Sequence, residues 1–345
     1  MKNNSSSFYN SKKIFDKEIT KLKLRHPVFV TDLSKLENEG DYVVFNFYGE
    51  EYIACKSKSK ISIFQNRCLH RAFPLKENKS GNDKIICPYH GWFYNYEGKL
   101  IGIPQKDCFK NLPKNKFLKM IYPEICGKFL FASFKKGNLK KSLGKLFDVV
   151  EKISNNINKS EYSEIIEYKA NWKLCVENSL DEYHIVKVHP TNAGYFGYMK
   201  NFKYFEERKN LILFSSENLN DPLNYKKFCK KILNGEIDHS GYKIFNIFPS
   251  FALILYFNFL FFTNFHIVSE EKTINNVEVY SLKDKKVSDI YIKKFVNNFL
   301  TKLVYEDKNI IERYQKALNQ DKFYKFKEYF SVFEERIKKF RKALI

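Results

Sequence analysis

The chain has 345 residues, enough for one large domain or for two ordinary domains with separate hydrophobic cores. Hydrophobic residues make up 44% and aromatic residues 17% of the chain, which excludes a disordered protein or a disulfide miniprotein. The net charge is +21, but lysines recur along the whole chain instead of forming one basic stretch. We therefore do not expect a nucleic-acid partner.

The chain has seven widely spaced cysteines, and its first residues lack the apolar run of a signal peptide. We therefore expect a reducing, cytoplasmic setting. The uncharged stretch from Ile244 to Ser269 is long enough to resemble a membrane span. However, it is rich in Phe and Tyr and is interrupted by Asn264 and His266, which favours two adjacent strands of a packed sheet. We expect no membrane association.

The first half of the chain predicts a small all-β module. Apolar and β-branched runs at 42–47, 51–55 and 60–64 are separated by turn signals, and a last strand is expected at 128–134. A stretch at 135–145 rich in Lys, Gly and Ser then leads into a predicted helix at 146–155. We therefore predict an N-terminal segment at 1–35 that packs on the second domain, a β domain at 36–140 and a second domain at 141–345.

The second half mixes element types. We predict a helix across Trp172–Val188, strands at 204–216 and 244–282, and helices at about 288–320 and 328–343. The fold class is therefore α+β, with an antiparallel sheet covered by helices in the second domain. No repeat of fixed period is present, which excludes solenoids and propellers.

The strongest motif in the β module pairs cysteines with histidines. Cys68-Leu-His70 is followed after 16 residues by Cys87-Pro-Tyr-His90. Zinc could take two thiolates and two imidazoles, but zinc fingers place their cysteines together and then their histidines. Here each loop offers one of each, which suits a [2Fe–2S] cluster with both thiolates on one iron and both imidazoles on the other.

This motif, with Arg71 after the first histidine and Gly91-Trp92 after the second, closely resembles the Rieske domain of aromatic-ring-hydroxylating and related oxygenases. The resemblance implies that Cys68, His70, Cys87 and His90 bind the cluster. It also implies that the cluster takes electrons, originating in NAD(P)H, from a ferredoxin or flavin reductase.

A second motif lies in the segment from Asn171 to Pro190. His184 and His189 are five residues apart near the end of a predicted helix that Pro190 stops, and they could converge on one metal if the last turn loosens. The segment resembles the catalytic motif of Rieske non-haem iron oxygenases, Asn-Trp-Lys … Glu-Asn-x-x-Asp-x-x-His-x-x-x-x-His. That resemblance implies Fe(II) held by two histidines and one carboxylate, with O₂ as the co-substrate.

The third iron ligand has to come from a distant carboxylate. The run Tyr305-Glu306-Asp307 with Glu312 and Gln315 is similar to the family's helix that supplies it, and the match selects Asp307. Glu306 stays an alternative, because successive helix residues point about 100° apart and only one should face the pocket.

The resemblance assigns two more residues to the catalytic machinery. Asp181 lies three residues before His184, and in the family this acid bridges an iron-bound histidine and a cluster histidine of the neighbouring subunit. This implies a homotrimer, because electrons then pass between chains of a closed ring. Asn178, one turn further back, is a candidate pocket residue; an ordinary buried amide is the alternative.

The favoured function is an oxygenase component that hydroxylates a C–H bond of a small organic substrate. The C-terminal Glu-Asp … Glu … Gln pattern resembles members acting on quaternary ammonium compounds such as choline, carnitine or betaines, in which hydroxylation of an N- or O-methyl carbon would amount to demethylation. Aromatic residues can cage such a cation, and Tyr195, Phe196 and Tyr198 are candidates, although plain core packing is the simpler explanation in so aromatic a chain.

Three alternatives remain open. They are a ring-hydroxylating dioxygenase of aromatic substrates, a Rieske electron-transfer protein without oxygen chemistry, and a basic nucleic-acid-binding protein with structural zinc.

Overall fold

We describe residues 6–190, 202–215, 243–256, 259–282, 301–320 and 328–344 of a computed structural model. The chain forms two compact units. The first, here the β unit, comprises residues 21–142 and 147–155, and the second, here the mixed unit, comprises the described residues of 1–20, 143–146 and 156–345. The predicted α+β class is confirmed.

This division differs from the predicted bounds in two places. Residues 21–35 belong to the β unit, because Val28–Asp32 pairs as a strand with Phe129–Ser133, whereas we predicted them in a separate N-terminal segment. The helix at 146–155 also lies mostly in the β unit, where the Ser154 hydroxyl donates to the carbonyl of Cys126 and accepts the N–H of Lys128. A contact between distant strands cannot be seen in a local pattern.

The β unit contains a seven-stranded antiparallel sheet in the order β1-β10-β9-β4-β3-β2-β5 and a small sheet in the order β6-β7-β8. The strands are β1 (Val28–Asp32), β2 (Asp41–Phe47), β3 (Glu50–Lys56), β4 (Ile61–Gln65), β5 (Ser80–Asn82), β6 (Ile85–Ile86), β7 (Phe93–Tyr94), β8 (Leu100–Gly102), β9 (Met120–Cys126) and β10 (Phe129–Ser133). Its helices are α3 (Asn138–Leu143), of which Leu143 already belongs to the mixed unit, and α4 (Leu146–Asn155), which begins there.

The mixed unit is built on one seven-stranded antiparallel sheet in the order β11-β17-β16-β15-β14-β13-β12. The strands are β11 (Ile157–Tyr168), β12 (Phe202–Glu207), β13 (Asn210–Ser215), β14 (Lys243–Ile247), β15 (Phe251–Tyr256), β16 (Phe259–Ser269) and β17 (Lys272–Leu282). The uncharged stretch at 244–269 therefore forms three neighbouring strands, one more than we predicted. None of the helices in the described part of the chain has the length and apolar composition of a membrane span.

Helices accompany this sheet. They are α1 (Ser7–Asn10), α2 (Lys12–Arg25), which runs on into the β unit, α5 (Trp172–Ser179), α6 (Ile185–Val188), α7 (Thr301–Gln320) and α8 (Glu335–Leu344). We predicted the last helix from residue 328, and it begins at Glu335. The carboxylate of Glu334 accepts the backbone N–H of Ser331 at 2.8 Å across a single 3₁₀ turn, and this contact fixes the start of the helical segment. Residues 288–300 of the predicted helix at 288–320 lie outside the described residues.

The predicted single helix across Trp172–Val188 is wrong. Helix α5 ends at Ser179, and the chain turns before α6 starts at Ile185. The carboxylate Oδ1 of Asp181 accepts the backbone N–H groups of Tyr183, at 2.7 Å, and of His184, at 3.3 Å. An aspartate that satisfies backbone donors in this way competes with a continuous helix and starts a new one.

Buried ion pairs attach helix α8 to this broken segment. The guanidinium of Arg341 donates to both carboxylate oxygens of Glu177, at 2.9 and 2.8 Å, and that of Arg336 donates to Glu182 and to Asn246. All of these side chains are buried. Because a buried charge is costly without a partner, the pairs fix helix α8 relative to α5 and to the turn that follows it.

Candidate metal centres

The two Cys/His loops of the β unit share one hydrogen-bonding pattern. In the first loop, the N–H of Cys68 donates to the carbonyl of Phe73, and the N–H of Ala72 donates to that of Cys68. The second loop repeats this between Cys87, Trp92 and Gly91. Ala72 and Gly91 occupy the same place, and both have positive φ angles, of 57° and 72°. The sequence therefore folds two short loops with the same backbone closure, each of which presents a cysteine and, two or three residues later, a histidine.

The four predicted cluster residues lie together. The rings of His70 and His90 are 4.7 Å apart, and His70 stacks on Trp92 at 5.0 Å. The two thiols belong to one core cluster, and burial and the nearby Cys87 both raise the pKa of Cys68. Nδ1 of His70 is buried and has no hydrogen bond to any residue that the structure describes. Two buried sulfurs and a buried imidazole nitrogen without a partner fit a [2Fe–2S] cluster.

Tyr94 is a candidate functional residue that our sequence reasoning missed. Its hydroxyl oxygen accepts the N–H of Leu69 at 2.9 Å and lies 3.2 Å from Sγ of Cys68. Because that lone pair is occupied, the hydroxyl hydrogen can point at the sulfur. Burial raises the pKa of Tyr94, so the phenol stays a donor. The signal was available, since Tyr94 follows Gly91-Trp92 closely on the strand that leaves the loop.

The second predicted site forms in the mixed unit. One ligand atom each of His184, His189 and Asp307 lie within 4.8 Å of one another. His184 and His189 flank the one-turn helix α6, and their rings are 5.3 Å apart. Oδ1 of Asp307, on helix α7, lies 3.4 Å from Nε2 of His184 and 2.9 Å from Nε2 of His189. The break in the helix is therefore what lets two histidines five residues apart converge.

The charges at this site show that its donors fit a divalent cation. Oδ1 of Asp307 is buried and makes no hydrogen bond with proper geometry to the described residues, although both imidazoles face it. Burial lowers the pKa of His184, but the carboxylates of Asp181 and Asp307 outweigh burial and raise it to about 10. Burial raises the pKa of Asp307, but the two imidazoles outweigh burial and lower it to about 2.

Glu306 lies beside the triad but on the other side of a histidine. Its Oε2 is 2.8 Å from Nδ1 of His189, whereas Asp307 faces Nε2 of the same ring. Of the two acids that the sequence left open, Asp307 is thus the one placed with both Nε2 atoms. Oδ2 of Asp181 lies 3.5 Å from Nδ1 of His184.

A cavity of about 180 Å³ opens onto the triad. Its polar lining includes Asn178, Asp181 and Glu182, together with His184, His189 and Asp307. The apolar lining consists of Cys175, Ile185, Ile244, Ala252, Ile254, Phe261, Phe262, Phe265, Val277, Leu303, Val304 and Ile311. The predicted aromatic candidates Tyr195, Phe196 and Tyr198 lie outside the described residues.

Replacing Tyr94 tests the contact with the sulfur. We expect Tyr94→Phe to retain the cluster and to lower its reduction potential, because a hydrogen bond to a ligand sulfur stabilises the extra negative charge of the reduced form. A redox titration followed by electron paramagnetic resonance (EPR) measures this. Tyr42→Phe is the control, since the Tyr42 hydroxyl bonds to Asp83. Equal potentials in wild type and Tyr94→Phe would contradict the role.

Comparison with known proteins agrees with these two centres. Residues 157–345 match the ring hydroxylating alpha subunit (catalytic domain), and residues 26–114 match the Rieske [2Fe-2S] domain. A putrescine 2-hydroxylase of Ralstonia nicotianae is 24% identical over 281 residues, which cover 79% of this chain and 75% of that protein. The glycine betaine monooxygenase oxygenase subunit of Chromohalobacter salexigens is 29% identical over 189 residues, 53% of this chain and 42% of that protein.

Solved structures share the fold. A quaternary ammonium Rieske monooxygenase in complex with L-carnitine superposes with a TM-score of 0.74 at 20% identity, over 92% of this chain and 86% of that chain. Naphthalene 1,2-dioxygenase from a Rhodococcus species bound to indole gives a TM-score of 0.72 at 18% identity, over 91% and 82%. Since the catalytic-domain match alone spans more than half of the sequence, the chain belongs to the ring-hydroxylating alpha subunits, the Rieske non-haem iron oxygenases that carry a [2Fe–2S] cluster and a mononuclear iron.

Proposed function

We propose that this protein is an oxygenase component that hydroxylates a C–H bond of a small organic substrate with O₂ and electrons from a reductase. The observation that carries this proposal is the convergence of His184, His189 and Asp307 at the wall of an apolar cavity. Two imidazoles and one carboxylate are the donor set of non-haem Fe(II) oxygenases, which leaves coordination positions open.

Two sets of residues would hold two different cofactors. When bound, the Rieske cluster supplies single electrons and the mononuclear iron supplies the site of O₂ chemistry. Cys68, His70, Cys87 and His90 would hold the cluster, and His184, His189 and Asp307 would hold the iron. The apolar side chains of the cavity would hold the substrate beside the iron and exclude bulk water from it.

We propose a quaternary ammonium or other methylated amine as the first substrate class to test. Relatives named for glycine betaine, carnitine and choline monooxygenation support it. Tyr168 and three phenylalanines in the cavity wall are aromatic faces that could lie against a methylated cation. Hydroxylation of an N-methyl carbon would release formaldehyde, so formaldehyde that depends on substrate and O₂ is the product to assay.

A second candidate is dioxygenation of an aromatic ring, and the charges of the cavity favour it. Among the described lining residues the carboxylates already have partners. Glu182 pairs with Arg336, Asp181 accepts backbone N–H groups, and Asp307 faces the histidines. A cation would thus find little unpaired negative charge in this part of the wall. A cis-diol from an aromatic substrate, with no formaldehyde from betaines, would select this alternative.

Metal content tests the core of the proposal. We expect red-brown protein with one [2Fe–2S] cluster and one further iron per chain. Cys68→Ser should lose the cluster absorption, since serine does not replace a thiolate, whereas His189→Ala or Asp307→Ala should keep the colour and lose the third iron and the activity. Iron and acid-labile sulfide analysis measures both. Zinc without sulfide would contradict the proposal and favour the structural-zinc alternative.

We propose a homotrimer in which the cluster of one chain serves the iron of the next. His90 is exposed, so the proposed cluster site reaches the surface of the β unit. In the mixed unit, Tyr183 and Val186 beside His184 are 60% and 57% exposed, an apolar surface suited to a protein contact. The two oxygens of Asp181 have separate tasks, because Oδ1 caps the turn while Oδ2 faces His184.

Asp181→Asn separates these two tasks. The amide keeps an oxygen for the backbone N–H groups, so folding, trimer and both metal centres should survive. It loses the anionic acceptor toward the imidazoles, and we expect electron transfer from a pre-reduced cluster to slow by about 10- to 100-fold. Single-turnover oxidation of the cluster with substrate and O₂ measures this rate. A wild-type rate in Asp181→Asn, or full turnover by a monomer at high dilution, would sink the inter-subunit route.

We propose an acidic ferredoxin or flavin reductase as the electron donor. Residues 99–119 of the β unit contain six exposed lysines and one acidic residue, Asp107. Complementary charge accelerates the encounter of two proteins chiefly at low salt. Turnover at limiting reductase should therefore fall steeply as ionic strength rises, and a flat salt dependence would show that these lysines do not guide docking.

A further inference from the structure

We propose that Glu306 is a positioning residue for the mononuclear iron, because its carboxylate accepts the Nδ1–H of His189 and thereby turns Nε2 of that ring toward the metal. The inference rests on the proposed function, since it assumes iron on His184, His189 and Asp307. It assigns two separate tasks to the adjacent acids Glu306 and Asp307.

The geometry at His189 defines which nitrogen is available. Oε2 of Glu306 is 2.8 Å from Nδ1, and Oδ1 of Asp307 is 2.9 Å from Nε2. Because Asp307 would share the metal with Nε2, the ring proton belongs on Nδ1, where the carboxylate of Glu306 accepts it and holds that tautomer. The His189 side chain is only 3% exposed, so water has little access to its ring nitrogens.

His184 lacks an equally formed partner. Its Nδ1 is buried, lies 3.5 Å from Oδ2 of Asp181, and makes no hydrogen bond with the described residues. The other carboxylate oxygen of Asp181 accepts the backbone N–H groups of Tyr183 and His184. Within the part of the chain that the structure describes, only His189 of the two histidines has a ring nitrogen at hydrogen-bond distance from a carboxylate outside the triad, that of Glu306. The corresponding contact of His184, with Asp181, is longer at 3.5 Å.

A simpler explanation of Glu306 has to be separated from this one. Its second oxygen, Oε1, lies 3.8 Å from Nζ of Lys302, one turn earlier on helix α7. Such ion pairs four residues apart on a helix surface contribute little to stability and occur on many helices. If the pair with Lys302 were the whole role of Glu306, removing either partner would have the same small effect.

Three variants of the full-length protein distinguish these roles. Glu306→Met removes the acceptor and keeps a long helix-forming side chain, Glu306→Gln keeps an oxygen that can accept the Nδ1–H, and Lys302→Met removes the ion pair with Glu306 but leaves His189 its acceptor. The probe is Fe(II), whose dissociation constant is measured anaerobically by competition with a chelator. The EPR spectrum of the nitric oxide adduct reports the symmetry of the iron site, and cluster absorption confirms folding.

We expect Glu306→Met to weaken Fe(II) binding by about 10- to 100-fold and to change the EPR spectrum, as loss of a group that orients a metal ligand does. Glu306→Gln should keep most of the affinity, and Lys302→Met should match wild type. Wild-type affinity in Glu306→Met, or an equal loss in Lys302→Met, would overturn the role. If Glu306→Met loses its cluster absorption, Glu306→Ala takes its place with the same expectation.

Asp307→Ala serves as the reference for the site itself. Equal Fe(II) affinities of wild type and Glu306→Met, with no binding by Asp307→Ala, would overturn the positioning role and leave the proposed function standing. If the wild type and Asp307→Ala show the same Fe(II) binding, or neither binds Fe(II), both the positioning role and the proposed function are overturned.

Discussion

The imidazole of His189 lies between two carboxylates of one helix, and the metal centre of the mixed unit depends on this contact. Glu306 and Asp307 approach opposite nitrogens of the ring at 2.8 and 2.9 Å. Successive helix residues point about 100° apart, so both acids reach one ring only if that ring lies close to the helix and between their directions. These two contacts therefore fix the position of helix α7 relative to the end of α6.

Buried ion pairs supply the rigidity that such a contact requires. Arg341 binds Glu177 through two parallel hydrogen bonds, which fix direction as well as distance. Arg336 reaches Glu182, the residue after Asp181, and Asn246 on strand β14. Pairs of this kind add little net stability, but loss of one partner costs about 3–5 kcal/mol. They select one position for helix α8, and with it one path for the turn that carries Asp181 and His184.

The β unit reaches its geometry in a different way, through local backbone structure. Each Cys/His loop is closed by the same two backbone hydrogen bonds, and each has a residue with positive φ four positions after its cysteine. Glycine adopts this conformation freely, whereas Ala72 pays a steric penalty of about 1–2 kcal/mol. Each loop thus holds its cysteine and histidine with few residues. From the segment that follows the second cysteine, Tyr94 contacts Cys68 and Trp92 stacks on His70.

The sequence by itself determined the family, the α+β class and most of the strands, and it predicted the seven Cys, His and Asp residues that lie together at the two centres, because motif spacing and alternating apolar residues are local properties. It correctly predicted strands in place of a membrane span at 244–269, since aromatic residues broken by Asn and His suit a buried sheet. Tertiary structure decided the rest. The helix break after Ser179, the strand pairing of Val28–Asp32 and the separate positions of Glu306 and Asp307 all depend on residues far away in the chain. Periodicity shows which face of an element is apolar, but only packing brings a particular histidine or carboxylate to that face.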